Sequence, residues 1–339
     1  MNILLTGGAG YIGSHTAVVL SQAGHKVALL DNFCNSNPSA LERLQKILGK
    51  ALPYIDADVR DTDVVEKVLR EYKIDAVIHF AGLKAVAESV ADPVLYYANN
   101  VQGSISLLQA MQRVGIKTLV FSSSATVYGE PQYLPYDENH PTNPMNPYGQ
   151  TKLQVEEILR DLTKSDENWK IVSLRYFNPV GAHESGFIGE NPNGVPNNLM
   201  PYIAKVAAGE LPYLSIFGND YDTKDGTGER DYIHVMDLAE GHVAALLFLV
   251  NQKGWHPINL GNGKPISVLE LLTVFETVFG QQIAKIYSPR RMGDLPTYYA
   301  KVEKAENLLG WYAKRTLEEV CRDVLASQEY LKTLVSPQK

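Results

Sequence analysis

Residues 6–15 read TGGAGYIGSH, and this segment decides the fold because a short apolar run precedes it and a long helical pattern follows it. Its glycines fit GxGxxG when read from Gly8 and GxxGxxG when read from Gly7. Glycine permits a tight turn and close backbone approach, and the N–H groups that begin the helix face the diphosphate of a dinucleotide. The glycine pattern alone is a weak signal, and the strand and helix around it give it meaning. We expect Gly7, Gly10 and Gly13 to contact a dinucleotide cofactor.

The first half of the chain alternates short aliphatic or β-branched runs with longer helical patterns, which is typical of βαβ units. The predicted strands are 2–6, 26–31, 52–58, 75–81, 117–122 and 170–177, and the predicted helices are 11–23, 61–72, 93–114 and 147–163. Several strands are almost continuously apolar, which indicates a sheet covered on both faces. The sequence therefore predicts the α/β class, with a doubly wound, Rossmann-like parallel sheet.

The composition changes after residue 177. Residues 178–201, NPVGAHESGFIGENPNGVPNNLMP, are rich in Gly, Pro and Asn and are long for a connection inside a compact domain. Shorter elements follow, with helices predicted at 235–249 and 268–279 and a strand at 257–260. We expect a Rossmann-like cofactor domain over residues 1–177 and a smaller C-terminal α/β substrate domain over 178–339, with some segments returning to the first.

The overall composition excludes several classes of protein. Of 339 residues, 45% are hydrophobic and 20% are charged, which fits a folded globular chain rather than a disordered or coiled-coil one. The formal net charge of −7 gives no general attraction to nucleic acid or to anionic membranes, so we expect neither as a partner. The longest apolar run, 243–250, is far shorter than the ~18–20 residues that span a bilayer.

The two cysteines, Cys34 and Cys321, lie far apart and fit no metal-ligand or CxxC spacing. We expect both to be free thiols in a reducing compartment, and we assign no metal ligand. The chain starts MNILLTGG, without a basic stretch ahead of a long apolar one, so a cytoplasmic location is the expectation.

Two carboxylates end predicted strands where a dinucleotide would bind. Asp31 follows the glycines by nearly the ~20 residues at which a carboxylate meets the adenosine ribose. Its charge would repel the 2′-phosphate of NADP, so we expect NAD, without excluding NADP; a turn-capping role before Asn32 is the alternative. Asp58 ends the third strand, where contact with the adenine edge and capping of the next helix are equally plausible.

Tyr148 and Lys152 stand four residues apart at the start of a predicted helix, on one face of it. About one such pair arises by chance in a chain this rich in Tyr, so the spacing gains meaning only from Ser124, at the end of the fifth strand. Lowering a phenol pKa from ~10 by ~3 units requires ~4 kcal/mol of preferential stabilisation of the phenolate. Lys152 can supply it, helped by a positive nicotinamide ring. We expect Tyr148 as base, Lys152 as its cation and Ser124 as holder of the reacting hydroxyl; a merely packed tyrosine is the alternative.

Nine motifs carry a family resemblance over nearly the whole chain. They are TGGAGYIGSH, LDN at the second strand, HFAGLKAV, SSSATVYG, NPYGQTK, LRYFNPVGAH, PNNLMPYI, GERDYIHVMDLA and RRMGDLP. Together they resemble the extended short-chain dehydrogenase/reductase family and, within it, the nucleotide-sugar 4-epimerases. Several are shared with other nucleotide-sugar enzymes, whereas PNNLMPYI, RDYIHV and the RRxGD segment are specific to the epimerases.

The resemblance implies two sets of binding residues. Those for NAD are Tyr11, Ile12, Asp31, Asn32, Phe33, Cys34, Asn35, Ser36, Asp58, Val59, Phe80, Ala81, Gly82, Leu83, Lys84, Asn99, Ser124, Tyr148, Lys152 and Phe177. Those for the UDP-sugar are Ser124, Tyr148, Asn178, Asn198, Leu199, Phe217, Arg230, Arg291, Asp294 and Tyr298. Arginines suit a diphosphate, and the alternative for Arg230 and Arg291 is an ordinary ion pair. Asn178 and Asn198 also suit turns.

The implied activity interconverts UDP-galactose and UDP-glucose. Tyr148 takes the proton of the sugar 4-hydroxyl as hydride moves from carbon 4 to NAD, the 4-keto sugar turns over, and hydride returns to its other face. Related dehydratases carry an acidic pair after the catalytic Ser or Thr, where this chain has Ala125 and Thr126. The bulk of Tyr298 implies that UDP-glucose and UDP-galactose are preferred over N-acetylated UDP-sugars, although Tyr299 makes that alignment ambiguous by one residue.

Other readings remain open at this point. The alternatives are another NAD-dependent nucleotide-sugar epimerase or dehydrogenase of the same family, a sugar or steroid dehydrogenase that releases reduced cofactor, or a non-catalytic NAD-binding regulator. The resemblance also implies a homodimer formed through helices 93–114 and 147–163, and packing of these helices on the sheet is the alternative. His79 suits a packed or turn position better than a catalytic one.

Overall fold

The computed structural model describes residues 1–191, 196, 198–291 and 293–335. The strands, in chain order, are β1 (Asn2–Thr6), β2 (Lys26–Asp31), β3 (Tyr54–Asp56), β4 (Ala76–His79), β5 (Thr118–Ser124), β6 (Lys170–Tyr176), β7 (Asn178–Val180), β8 (Leu214–Phe217), β9 (Glu229–Arg230), β10 (Tyr232–His234), β11 (Gly254–Leu260), β12 (Ile266–Ser267), β13 (Lys285–Ser288) and β14 (Thr297–Tyr298). The Gly-rich stretch 178–201 and the motif RRMGDLP lie partly outside the described residues, at 192–195, 197 and 292.

The helices alternate with the strands in the first half of the chain. They are α1 (Tyr11–Gln22), α2 (Ser39–Leu48), α3 (Thr62–Glu71), α4 (Val86–Ala91), α5 (Pro93–Tyr96), α6 (Gln102–Val114), α7 (Pro147–Ser165), α8 (Leu199–Ala207), α9 (Val235–Phe248), α10 (Val268–Phe279), α11 (Glu303–Leu309) and α12 (Leu317–Val335). A π-helical turn, Tyr97–Val101, joins α5 to α6, and a 3₁₀ turn, Ala125–Val127, follows β5. Across the described ranges, none of these helices combines the length and apolar character needed to cross a membrane.

Seven parallel strands form the central sheet, in the order β11-β6-β5-β4-β1-β2-β3. The strand order reverses about β1, which is the mark of a doubly wound sheet. Leu5 packs in one hydrophobic cluster with Val18 of α1 and Leu246 of α9, while its neighbour Leu4 packs in the opposite cluster with Leu107 of α6. Burying each such side chain contributes about 1.5–3 kcal/mol, so both faces stabilise the sheet. The predicted fold class is confirmed.

The observed boundaries differ from the predicted ones where local chemistry intervenes. The strand predicted at 52–58 is shortened to Tyr54–Asp56, and Pro53, which has no N–H to donate, directly precedes it. The single helix predicted over 93–114 is wrong at Tyr97–Val101, where the backbone forms a π turn instead. The prediction also lacked α2, although Ala40 and Leu44 stand four residues apart on its buried face.

The C-terminal half forms small sheets around a separate cluster. β7 pairs with β10, β8 pairs with β13, and β9 lies between β12 and β14. Met200, Ile216, Leu271 and Phe275 are buried in the cluster that these strands share with the nearby helices. β11 pairs with β6 at the edge of the central sheet. The division of the chain into two domains at residue 177 stays a prediction.

A buried carboxylate ties the small sheets to the chain beyond β11. Asp231, between β9 and β10, is 0% exposed and accepts hydrogen bonds from three backbone N–H groups, those of Asn262 (2.6 Å), Gly263 (3.0 Å) and Ala300 (3.0 Å). Burial raises the pKa of Asp231 to about 6, against the effect of these donors. An unpaired buried donor costs about 1–3 kcal/mol. The three hydrogen bonds therefore stabilise the packing of these segments against Asp231.

We predict that Asp231→Asn lowers the free energy of unfolding by roughly 1–3 kcal/mol, because an amide NH₂ must then face at least one of these N–H donors. Chemical denaturation of the full chain measures this change. The exposed Asp222→Asn is the control and should stay within about 0.5 kcal/mol of the original chain. Equal stability of the two variants would contradict the prediction.

Candidate active site

A cleft of about 330 Å³ opens at the carboxyl ends of the central parallel strands. Its lining includes every residue that the sequence assigned to the cofactor except Phe33. The backbone at Phe33 turns through a positive φ of 55°, and its N–H donates to Asp31. Phe33 therefore lies in the turn after β2, outside this lining, and its assignment to the cofactor stays a prediction.

The glycine loop between β1 and α1 forms the floor of this cleft. Gly7 has a φ of 68°, and a Cβ there would stand 2.7 Å from the backbone nitrogen of Ala81. A Cβ on Gly13 would stand 2.4 Å from the carbonyl oxygen of Gly7. Gly10 precedes α1 and places no side-chain cap over its first N–H groups. The loop thus forms a close-packed cradle with free helical N–H donors, which fits the diphosphate of a dinucleotide such as NAD.

Asp31 joins this loop to the turn after β2. Its carboxylate is 8% exposed and accepts hydrogen bonds from the N–H groups of Ala9 and Phe33 (both 2.9 Å) and from the hydroxyl of Ser36 (2.8 Å). A carboxylate offers about four acceptor positions, so one stays open for a ligand hydroxyl. The turn role and the ribose role that the sequence left as alternatives are compatible in this geometry.

Asp58 lies on the same side of the cleft, beside the end of β3. Arg60 binds it through two nitrogens, the shorter contact being 2.6 Å, and the amide of Asn32 donates to it at 3.1 Å. The hydrogen bonds from Arg60 lower the pKa of Asp58 to about 2. The carboxylate is therefore charged at neutral pH, and both Asp58 and Val59 line the cleft.

The three residues with predicted catalytic roles meet in this cleft. The side chain of Asn146 accepts the N–H of Gly149 (2.9 Å) and starts α7, which places Tyr148 in its first turn and Lys152 in the next. Lys152 Nζ donates to the carbonyl oxygen of Ser122 at 2.6 Å and lies 5.9 Å from the centre of the Tyr148 ring. Tyr148, Lys152 and Ser124 all line the cleft.

Burial governs the protonation of this group. It lowers the pKa of Lys152 to about 8, while the negative charge of Glu156 acts in the opposite direction. Burial also raises the pKa of Tyr148, and the hydroxyl of Ser124 only partly opposes this effect. The sequence analysis expects Lys152, helped by a positive nicotinamide ring, to lower the phenol pKa; in the chain without that ring, the effect of burial is larger than that of Ser124. Positive charge bound in the cleft would favour the phenolate.

The residues assigned to the UDP-sugar are divided between two places. Asn178 and Asn198 line the cleft, whereas Leu199, Phe217, Arg230, Arg291, Asp294 and Tyr298 lie beyond its lining. The Arg291 guanidinium stands 3.8 Å from the centre of the Phe217 ring. Arg230 forms a 3.5 Å ion pair with Asp294 and also donates to the carbonyl oxygen of Leu295. Arg230 thus has an ion-pair partner and Arg291 stacks on an aromatic ring, and the assignment of both to the UDP-sugar stays a prediction.

Tyr298 lies between the cleft and the assigned UDP-sugar residues outside its lining. Its ring centre lies 5.2 Å from that of Phe177, which lines the cleft, and 4.8 Å from that of Tyr136. The backbone carbonyl of Tyr299 accepts the N–H of Tyr136 instead. Among the described residues, the buried hydroxyl of Tyr298 has no hydrogen-bond partner. Tyr298 rather than Tyr299 therefore presents its ring toward the cleft wall.

Two charged residues of the wall escaped the sequence reasoning. Glu190 accepts from Lys84 Nζ at 2.9 Å and from the amide of Asn198 at 2.7 Å, so it connects the two predicted binding sets. Arg43 lines the cleft from α2, where its guanidinium donates to Ser39. A signal existed for Glu190, because it lies in the Gly-rich stretch of unusual length. Arg43 was missed together with its helix.

Comparison with known proteins agrees with this geometry. The family model described as GDP-mannose 4,6 dehydratase matches residues 4–324. The chain is 56% identical over 323 residues to the UDP-glucose 4-epimerase of Bacillus subtilis, covering 95% of each chain. It also resembles a solved UDP-glucose 4-epimerase from Stenotrophomonas maltophila with bound NAD and formylated UDP-arabinopyranose, at 50% identity and a TM-score of 0.97, covering 99% of this chain and 100% of that one.

A second solved relative, the UDP-glucose 4-epimerase of Bifidobacterium longum in complex with NAD⁺ and UDP, is 50% identical with a TM-score of 0.94 and covers 97% of this chain and 98% of that one. These similarities extend over nearly the full length of every chain compared, so they include both the glycine loop and the Tyr148 region. The chain belongs to the UDP-glucose 4-epimerase family.

Proposed function

We propose that this chain is a UDP-glucose 4-epimerase, an NAD-dependent isomerase that interconverts UDP-galactose and UDP-glucose. The observation that carries the proposal is the meeting of Tyr148, Lys152 and Ser124 in a cleft whose floor is the glycine loop. The relatives bind NAD together with uridine diphosphate compounds, and this chain keeps the groups suited to both.

The cradle between β1 and α1 holds the NAD diphosphate through backbone N–H groups, and Asp31 accepts from the adenosine ribose. When bound, NAD supplies a reversible acceptor for hydride from carbon 4 of the sugar. Its positive ring would also favour the phenolate form of Tyr148. The negative charge of Asp31 disfavours the 2′-phosphate of NADP.

Tyr148 removes the proton of the sugar 4-hydroxyl at its phenolate oxygen and later returns it. Lys152, held against the Ser122 carbonyl, keeps positive charge next to that phenolate, and Ser124 orients the sugar hydroxyl. General acid–base transfer of this kind contributes about 10²–10⁴-fold to a rate. Arg230 and Arg291 bind the UDP diphosphate, so the keto sugar stays anchored while it turns over.

Dehydration is disfavoured as a second candidate, although the matching family model carries a dehydratase description. Expelling water from the sugar requires an acid next to the catalytic serine. The two residues after Ser124 are Ala125, which is 1% exposed, and Thr126, whose hydroxyl donates to Ser124 at 2.9 Å. Neither can donate a proton as a carboxylic acid does. A non-catalytic regulator is disfavoured as well, because it would have no need of the buried Lys152.

The assembly and the location are also proposals. We infer a homodimer that uses the helices of residues 93–114 and α7, and a chain that functions in the cytoplasm. The formal net charge of −7 and the free thiols of Cys34 and Cys321 support a reducing, aqueous environment without nucleic acid.

Replacing Tyr148 by Phe should lower the rate of UDP-galactose conversion by roughly 10²–10⁴-fold, because the proton acceptor is lost while the ring that packs in the cleft remains. The NAD content, measured after denaturation, should be unchanged. Tyr54→Phe, a change at an exposed tyrosine, serves as the control. Activity of Tyr148→Phe within about threefold of the original would refute its assignment as the base.

Replacing Tyr298 by Ala should raise the turnover of UDP-N-acetylglucosamine relative to UDP-glucose by about tenfold or more, because a ring next to Phe177 is removed. The unmodified chain should prefer the sugars without an N-acetyl group. Tyr299→Ala is the matched control and should leave the ratio unchanged. Comparable turnover of both sugar types by the unmodified chain would contradict the proposal that Tyr298 limits the size of the sugar.

A further inference from the structure

Helix α7 carries a third polar residue on the face that presents the catalytic pair. Tyr148, Lys152 and Glu156 follow each other at intervals of four residues, so they lie along one side of the helix. The side chain of Glu156 is 1% exposed. It lies about two helical turns beyond Tyr148, away from the cleft. Burying a carboxylate costs several kcal/mol unless it is paired and hydrogen-bonded, so its contacts are of interest.

Glu156 is bound by two neighbouring strands of the central sheet. Arg175 of β6 donates to both of its oxygens, at 3.0 Å from Nε and 2.6 Å from Nη2, and the hydroxyl of Ser123 of β5 donates at 2.6 Å. Arg175 has a side chain that is only 4% exposed, and its Nη1 donates to the hydroxyl of Tyr128. The carboxylate therefore accepts three hydrogen bonds from charged and neutral donors in the interior.

These contacts set the position of α7 against β5. Three consecutive serines of β5 have separate tasks: the carbonyl of Ser122 accepts Lys152 Nζ, the hydroxyl of Ser123 donates to Glu156, and Ser124 lines the cleft. A helix advances 1.5 Å per residue, so a shift of one residue in this docking would displace Tyr148 relative to Ser124, which lines the same cleft.

The titratable and charged groups around Lys152 belong to several elements. Tyr148 and Glu156 lie on α7 itself, His79 lies on β4, and Arg175 and Tyr176 lie on β6. Burial lowers the pKa of His79 to about 3, and burial raises the pKa of Tyr176, so both are neutral near pH 7. Among the described residues, Glu156 is the charged group that favours the protonated lysine, and Arg175 is its ion-pair partner.

We propose that Glu156 is a positioning residue for the Tyr148–Lys152 pair, anchoring α7 to β5 and β6 and placing a negative charge one helical turn beyond Lys152. This inference rests on the proposed epimerase function, because it concerns the same site. Glu156 does not reach the sugar or the cofactor and acts through Lys152.

The test is the pH profile of kcat/KM for UDP-galactose with the purified, NAD-containing enzyme. In Glu156→Gln the side chain keeps its shape but loses its charge, so Lys152 should lose its proton at lower pH. A charge ~6–10 Å away changes a pKa by about 1 unit or more at an effective dielectric constant of ~20. The alkaline limb of the profile should therefore move to lower pH by about 1 unit.

Ser123→Ala is the matched control, because it removes a hydrogen bond to Glu156 without changing any charge; its alkaline limb should coincide with that of the original enzyme. If Glu156→Gln does not fold, the double variant Glu156→Gln, Arg175→Met should move the limb in the same direction but by less, because the positive charge of Arg175 is removed together with the negative charge of Glu156. Replacing both members of a buried ion pair is far better tolerated than removing one.

An alkaline limb that stays in place in the charge-neutral variant, whatever the loss of rate, would reduce Glu156 to an ordinary packing residue and overturn the inference. Failure of the unmodified enzyme to interconvert the two sugars would instead remove the proposed function, so the two failures are distinguishable.

Discussion

The seven strands of the central sheet all run in one direction, and the site depends on this constraint. Because the strands are parallel, whatever follows each strand emerges at the same edge of the sheet. The glycine loop follows β1, Asp31 ends β2, and Ser124 ends β5. Residues far apart in the chain therefore meet in one cleft without any long-range motif in the sequence to specify their distance.

A second constraint is the electrostatic cost of the interior. Burial pushes both Tyr148 and Lys152 toward their neutral forms, so the chain alone opposes the charge pair that the proposed chemistry needs. The Glu156 carboxylate favours the protonated form of Lys152, and a positive nicotinamide ring in the cleft would favour the phenolate form of Tyr148.

Local patterns predicted the part of the structure that is locally encoded. β1 and β2 match the predicted bounds because each is a continuous apolar run with a clear end, and the Tyr148–Lys152 spacing is fixed by one helix. The π turn at Tyr97–Val101 escaped prediction, since its residues are compatible with an ordinary helix. The positive φ of Phe33 also escaped prediction, because such a backbone angle in a non-glycine residue leaves no mark on the sequence pattern.

The missed contacts join residues that lie far apart along the chain. Glu190 meets Lys84 across 106 residues, and Arg230 meets Asp294 across 64, so no spacing rule applies to them. The family resemblance identified Arg230, Asp294 and Lys84 as binding residues. It did not show which residues of the folded chain contact them. The charges of the wall are thus a property of the folded chain, whereas the catalytic pair is already visible in one helix.

The central claim is that hydrogen leaves carbon 4 of the sugar and returns to the same carbon through a resident oxidant. UDP-galactose that carries deuterium at carbon 4 tests it, with enzyme to which no NAD has been added. The account predicts UDP-glucose that retains the deuterium at carbon 4. Replacement of the label by solvent hydrogen during conversion would contradict it.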